Sequence, residues 1–454
     1  YFLIFLLPVF VYAQQPWYKS SPLDYMWKNI GTAGFSAGDA VYTCLAFSPS
    51  GEPYVAYSDG ANSFKATVMR FNGTNWVNVG TAGFSAGDAD WTSLAFSPTN
   101  DQPYVAYTDR GNSSKATVMK FDGTNWVVVG NTGFSAGEAD YPSLAFSNSG
   151  EPYVAYQDFV NSKKVTVMKF NGNTWVNVGN AGISAGYTEN TSLVFSSLGV
   201  PYVAFYDGGN SSKATVMKFD GTNWVNVGSA GFTNSSVNYT SLALSPSGEP
   251  YVAYQDFGNS YKATVMKFDG TNWLIVGNAG FSPDMVAYIS LAFSPAGEPY
   301  VAYEDHANSE KASVIKFDGT NWVNAGIAGF TAGAAYYTSL VFSPNGQPTV
   351  AYQDDAYSSK ASVMGYGAPA GIEEQQQLQL SFYPNPAKNN ISIKTSGMLK
   401  GSNLAIVNIE GQNVISYQIT EPTSTIDVST LPTGIYFVRL TGDNTVRVGK
   451  FVKQ

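Results

Sequence analysis

One phrase is written seven times between Trp27 and Tyr366, close to W-V-N-V-G … S-L-A-F-S-P-x-G-E-P-Y-V-A-Y-x-D-x-x-N-S-x-K-A-T-V-M-K-F-D-G-T-N. The tryptophans that open the copies, Trp27, Trp76, Trp126, Trp175, Trp224, Trp273 and Trp322, are spaced 49, 50, 49, 49, 49 and 49 residues apart. A period of this length makes each copy one supersecondary unit that buries its apolar faces only against its neighbours. The single extra residue falls in residues 97–103, S-P-T-N-D-Q-P, where other copies read like Ser48-Pro49-Ser50-Gly51-Glu52-Pro53, a turn that tolerates a change of length.

Each copy holds four short strand candidates, in the second copy residues 92–97, 104–108, 115–121 and 126–130. Four strands in about fifty residues make one propeller blade. Asp122-Gly123-Thr124-Asn125 reads as a hairpin turn, with glycine free to take a positive φ. Runs such as Tyr-Val-Ala-Tyr lack an apolar/polar alternation, which suits sheets covered on both faces by neighbouring blades. The last copy stops at Val363-Met364-Gly365-Tyr366 without a tryptophan strand, whereas Trp27-Lys28-Asn29-Ile30-Gly31 is a tryptophan strand with nothing before it. The expectation is therefore all-β, a seven-bladed β-propeller of four-stranded blades over residues 27–366, with the N-terminal strand closing the ring and removing the exposed edges. The copies resemble the Tyr/Trp-rich propeller repeats of secreted bacterial surface proteins. WD, kelch and sialidase Asp-box signatures fit less well.

Residues 1–13 are an apolar run too short to span a bilayer, ending in Val11-Tyr12-Ala13 before Gln14. They read as a signal-peptide core with its cleavage site, N-terminally incomplete because no initiator Met or basic segment precedes it, and residues 14–26 as a lead-in. An exported chain with a single cysteine has no internal disulfide, so its stability comes from packing. Cys44 stands where other copies have Ser93, Ser143 or Ser241 and reads as a small side chain in a repeat slot rather than a nucleophile.

After Tyr366 the composition changes. Residues 367–377, with Gly-Ala-Pro-Ala-Gly followed by a Glu/Gln run, read as a polar linker. Residues 378–454 then carry Tyr383-Pro384-Asn385-Pro386-Ala387, an internal Gly411, Gly434-Ile435-Tyr436-Phe437-Val438 and Lys450-Phe451-Val452-Lys453 in that order. This tail resembles the C-terminal sorting domain, type A, of type IX secretion. The resemblance implies a small Ig-like β-sandwich, passage across the outer membrane of a gram-negative bacterium by the type IX machinery, and anchoring on the surface or release. No transmembrane span is expected.

Charge narrows the partners of the propeller. Residues 380–454 carry seven Lys/Arg against four Asp/Glu, leaving −12 of the total −9 on the rest of the chain. Nucleic acid is thereby excluded as an expected partner. With strands running outward from the axis, the loop entering each innermost strand and the loop between the second and third strands share one face. Before the innermost strands stand Tyr42, Trp91, Tyr141, Tyr239, Tyr288 and Tyr337, with Asn190 the exception; the second loop carries Asp59, Asp109, Asp158, Asp207, Asp256, Asp305 and Asp354. Ring faces beside carboxylates and amides suit sugars, which need apolar stacking and directional acceptors, and seven weak sites add avidity on a polymer. The aspartates also admit a purely local role in the turn, with a cross-strand ion pair to the lysine that follows, and the aromatics admit one as filling of the channel mouth.

The leading expectation is a non-catalytic binding propeller for carbohydrate or a surface polymer. The alternatives are a protein–protein scaffold and, behind it, a polysaccharide hydrolase or lyase. Catalysis is disfavoured because the propeller has only Arg70 and Arg110, the chain has only His306, and carboxylate pairs such as Glu138/Asp140 and Asp354/Asp355 show no sequence sign of a raised pKa. No cofactor or metal is expected; one aspartate per blade cannot assemble the six to eight oxygens that calcium takes, and no D-x-D-x-D-G loop is present.

Overall fold

The computed structural model describes residues 26–367, 381–394, 403–408, 412–418, 423–442 and 445–454. The signal-peptide segment, nearly all of the lead-in and linker, and Gly411 lie outside these residues. The chain divides into two compact units, residues 1–369 and 370–454.

The first unit is seven four-stranded antiparallel sheets. In the second blade the strands are Ala89–Phe96, Pro103–Asp109, Lys115–Phe121 and Trp126–Val128, innermost to outermost. The expected seventh-blade closure is present: Met26–Asn29 pairs antiparallel with Lys360–Gly367, Trp27 opposite Tyr366 and Asn29 opposite Met364. The hairpin turns behave as their sequence dictates. Asp122 Oδ1 accepts the backbone N–H groups of Thr124 and Asn125, and Gly123 has φ +103°. Among the described residues the only helical elements are three-residue 3₁₀ turns, and no helix is long and apolar enough to cross a membrane.

Two rings of hydrogen bonds join blade to blade. On the outside, each blade-opening tryptophan donates Nε1–H to a carbonyl of the preceding blade, as Trp126 to Val79 at 2.7 Å and Trp175 to Val129 at 2.8 Å. Trp27 to Ala325 and Trp76 to Ile30 carry the same bond across the closure. Most of these indoles also stack on a phenylalanine, Trp175 on Phe134 at 4.0 Å and Trp76 on Phe35 at 4.1 Å. Near the axis a serine hydroxyl accepts the leucine N–H of the next blade, as Ser93 from Leu144 and Ser339 from Leu45, both at 3.0 Å. Cys44 fills one position of this ring, its sulfur accepting from Leu94 N at 3.2 Å. Each such bond contributes about 1 kcal/mol net, and between the rings Val, Ala and Tyr side chains of the middle strands are almost completely buried.

In the second unit one sheet is Ser381–Tyr383, Asn390–Lys394 and Thr423–Asp427, the other Asn413–Gln418, Asn403–Val407, Gly434–Gly442 and Thr445–Lys453. Ile391 and Ile426 of the first meet Leu404, Ile406, Val438 and Phe451 of the second in one core, as a small sandwich requires. Of the motif residues, Asn385 Oδ1 accepts from Val452 N, Tyr436 donates its hydroxyl to Pro432 O, and Lys453 is buried. Tyr383 is 80% exposed.

Candidate binding site

At one end of the ring every innermost strand carries the same irregularity. Pairing with the second strand shifts across two residues, between Val41 and Cys44 in the first blade and at matching positions in the other six. The first unpaired residue is left-handed each time: Tyr42 (φ 57°), Trp91 (50°), Tyr141 (52°), Asn190 (51°), Tyr239 (49°), Tyr288 (48°) and Tyr337 (54°). Such a bulge re-aims one side chain, and here it presents seven toward the channel mouth. Asparagine tolerates this backbone, whereas a bulky L-residue is disfavoured in it by roughly 1–2 kcal/mol. Six strained aromatics at one mouth place the demand on their side chains rather than on the backbone.

These aromatics line a cavity of about 270 Å³ together with Asn190 and a floor that includes Thr43, Thr92, Thr191, Thr240 and Thr338. The rings touch in sequence: Tyr141–Trp91 4.7 Å, Trp91–Tyr42 5.5 Å, Tyr42–Tyr337 5.0 Å, Tyr337–Tyr288 4.6 Å and Tyr288–Tyr239 5.2 Å between centroids. They form a horseshoe open at Asn190, whose amide instead bonds Asn238. All six remain partly exposed. Burial pushes the phenols of Tyr42 and Tyr141 up to about 12, so both are neutral hydroxyls at any physiological pH. Beneath them, threonine hydroxyls tie five of the seven bulges to the next blade, as Thr92 to Tyr42 O at 2.6 Å and Thr43 to Tyr337 O at 2.7 Å. Pro142 and Ile289 stand in two of these threonine positions and donate nothing.

The residue before each bulge breaks the symmetry further. Asp90, Asp140 and Glu189 form an acidic arc over blades two to four, where the other blades have Asn238, Ala287, Tyr336 and Val41. Asp90 is taken up by Arg110, Nε to Oδ2 at 2.5 Å. Asp140 rises to about 6, chiefly by burial and further by the charges of Glu138 and Asp90, and burial raises Glu189 as well. The sequence gives no sign of this shift at Asp140; burial supplies it. The signal available in the sequence for the arc itself was an acidic residue directly before the bulge residue in three consecutive blades, ahead of Trp91, Tyr141 and Asn190.

The loop aspartates are not at the mouth. Asp59, Asp109, Asp158, Asp207, Asp256, Asp305 and Asp354 are at most 4% exposed. In the second blade Asp109 Oδ1 accepts from Gly111 N, while Oδ2 accepts from Asn112 Nδ2 and Thr117 Oγ1. The same set recurs through Asn62 and Thr67, Asn161 and Thr166, Asn210 and Thr215, Asn259 and Thr264, and Asn308 and Ser313; in the seventh blade Tyr357 replaces the asparagine and Ser362 remains. Six of the carboxylates cap a 3₁₀ turn and Asp158 caps an irregular one, and each fastens its loop to the third strand, so all seven are engaged within their own loops. The expected ion pair to the following lysine does not form among the described residues, because asparagine and threonine hold the carboxylate instead. The seven aspartates therefore leave the candidate ligand set, and the six aromatics stay in it.

Residues 381–454 match the family model of the secretion system C-terminal sorting domain. The tail is a sorting domain of type IX secretion. It marks its chain for export, with attachment to the cell surface or release. No curated protein sequence matches the chain. Among solved structures it is similar to PorZ, a surface component of the type IX secretion system of Porphyromonas gingivalis, at 14% identity and TM-score 0.49, over 92% of this chain and 60% of that one. It is also similar to a PL25 ulvan lyase, at 11% identity and TM-score 0.49 over 74% and 96%, and to the SapL1 lectin solved with α-methyl fucoside, at 13% identity and TM-score 0.44 over 65% and 99%. None of these similarities bears on the residues of the mouth.

Proposed function

We propose that the exported propeller is a carbohydrate-binding module, with residues 27–366 as the binding part and 378–454 as the sorting tail, and that the horseshoe of aromatics is its binding surface. The observation that carries this reading is the left-handed backbone at six bulky aromatics, a conformation that costs stability and gathers ring faces and neutral hydroxyls at one mouth. Flat rings take the C–H faces of sugars, and the phenols and Asn190 serve their hydroxyls. The acidic arc, with Arg110 already paired, favours uncharged or amino sugars over polyanionic ones.

The test is retention of the full chain on a panel of neutral, amino-bearing and sulfated polysaccharides, with Trp91→Ala and Tyr141→Ala beside it. Each ring is expected to cost roughly two- to twelvefold in affinity, about 0.5–1.5 kcal/mol, with melting nearly unchanged. Binding that ignores both substitutions would refute the reading. Asp140 favours a second reading, glycan cleavage, since a carboxyl held near 6 is poised for proton transfer. Release of reducing ends, abolished in Asp140→Asn, would support it.

A further inference from the structure

The seven blades act as an internal alignment, and three positions of the sixth depart from the others together. Counting from the turn aspartate Asp305, the residues one before, one after and five after are Glu304, His306 and Glu310. In the fifth blade they are Gln255, Phe257 and Tyr261, in the third Gln157, Phe159 and Lys163, and in the second Thr108, Arg110 and Ser114. Only the sixth blade places two carboxylates and an imidazole there, and one ligand atom from each lies within 4.8 Å of the others.

Glu304 is the anomaly within the trio. Its slot is a donor slot elsewhere: Gln255 Nε2 donates to Val286 O at 2.5 Å, Thr108 Oγ1 to Ala139 O at 2.5 Å, and Gln157 Nε2 to Thr188 O. A carboxylate has no proton to give in that place. Glu304 is 4% exposed; Oε1 lies 3.0 Å from His306 Nε2, while Oε2 is buried without any hydrogen-bond partner. A buried carboxylate oxygen left unmatched costs free energy unless a cation or a proton meets the group.

We propose that Glu304, His306 and Glu310 form a site for one divalent transition-metal ion of the zinc class. A tetrahedral shell with bonds of about 2.1 Å has edges of about 3.4 Å, so the 3.0 Å separation between Oε1 and Nε2 has to widen by only a few tenths of an ångström to admit the ion. One imidazole and two carboxylates suit zinc, whereas calcium takes six to eight oxygens. The ion takes the Nε2 lone pair of the neutral ring, whose proton resides on Nδ1. Tyr336 of the seventh blade donates to Glu310 Oε2 at 3.1 Å and holds the third ligand from outside. His306 and Glu310 are partly exposed, so water completes the shell. The Tyr336 ring is 6.2 Å from that of Tyr288, which puts the site beside the aromatic horseshoe. The site does not depend on what the horseshoe binds.

The experiment uses tag-free full chain stripped with chelator and titrated with Zn²⁺ by calorimetry, with Co²⁺ as a spectroscopic probe. His306 is the only histidine, so its imidazole NMR signals report the site directly. One ion per chain is expected, with those signals shifting on saturation and Co²⁺ giving a ligand-field spectrum. Glu304→Gln and His306→Phe install residues that the fifth blade already carries, so both variants fold, and each is expected to weaken Zn²⁺ binding at least tenfold. A chain that takes up no Zn²⁺ at millimolar concentration, or variants that bind it as tightly as the parent, would overturn the site. So would a Glu304 that only holds a proton, seen as a Glu304→Gln chain more stable at pH 8 than a parent that binds no ion.

Discussion

Trp91 and Trp175 are the same residue type in two regions of one ring, and almost nothing else about them is alike. Trp175 belongs to the outer belt, where the copies agree: its indole is buried, stacks on Phe134 and bonds the preceding blade. Trp91 belongs to the mouth, where the copies differ: it is partly exposed, sits on a left-handed backbone and has Tyr42 and Tyr141 as ring neighbours. Sevenfold agreement marks what each blade needs in order to hold the next one. Departure from it marks what the ring as a whole presents, since a ligand meets one mouth and not seven blades.

The strongest way to break this comparison is to truncate the belt. Trp175→Ala removes a buried indole, its stack and its inter-blade bond, and is expected to cost about 3–5 kcal/mol of stability, read by chemical denaturation. If Trp91→Ala proved as destabilising as Trp175→Ala, the mouth would be structural and the distinction would fail.

A weaker effect separates the regions by pH. Asp140 at the mouth has a carboxyl raised to about 6 by burial and by Glu138 and Asp90, above its ordinary value of 3.8. Folding therefore disfavours the ionised form. The cost is fully present above pH 6 and is relieved as pH falls from 6 through 3.8. Asp140→Asn is expected to raise the melting temperature at pH 8 and to leave it unchanged at pH 3.5, whereas substitutions in the belt shift melting equally at both. An Asp140→Asn shift independent of pH would remove the carboxyl from this role.

How much of this was legible beforehand follows the same division. The ring, its blade count and its closure by Trp27 were readable because a repeated unit states its neighbour's surface in its own sequence. The sorting tail was readable from Tyr383-Pro384-Asn385-Pro386 and the strand motifs after it. The left-handed bulge was not, because tyrosine and tryptophan carry no signal for a positive φ; the one hint was Asn190, the exception in the aromatic series and the residue type that tolerates that backbone. The turn aspartates stayed open between two roles because Asp-x-x-Asn serves a turn and a ligand equally well in one dimension, and Thr67 or Thr117, eight residues on, reveals its part only when the hairpin folds. His306 read alone was an odd residue on a variable loop. Beside Glu304 and Glu310, aligned with the other blades, it becomes part of a constellation.

The smallest expected effect is the sharpest check on the agreement side. Cys44 is the one departure from the serine ring near the axis, and the structure gives it the serine's task, accepting Leu94 N–H at 3.2 Å where the hydroxyls of Ser93, Ser143 and Ser192 accept at 3.0, 3.0 and 3.1 Å. Burial pushes its thiol up, so the sulfur stays protonated and inert. Cys44→Ser restores a residue that six other blades use and is expected to change stability by no more than about 0.5 kcal/mol, slightly in favour of serine, because oxygen accepts the bond at shorter range. The native thiol is expected to resist alkylation until the ring unfolds. A Cys44→Ser cost well above 1 kcal/mol would show that the first blade uses its sulfur for something the other six do not. The rule that a lone deviation within an inter-blade contact is neutral, while clustered deviations at the mouth are functional, would then have to be given up.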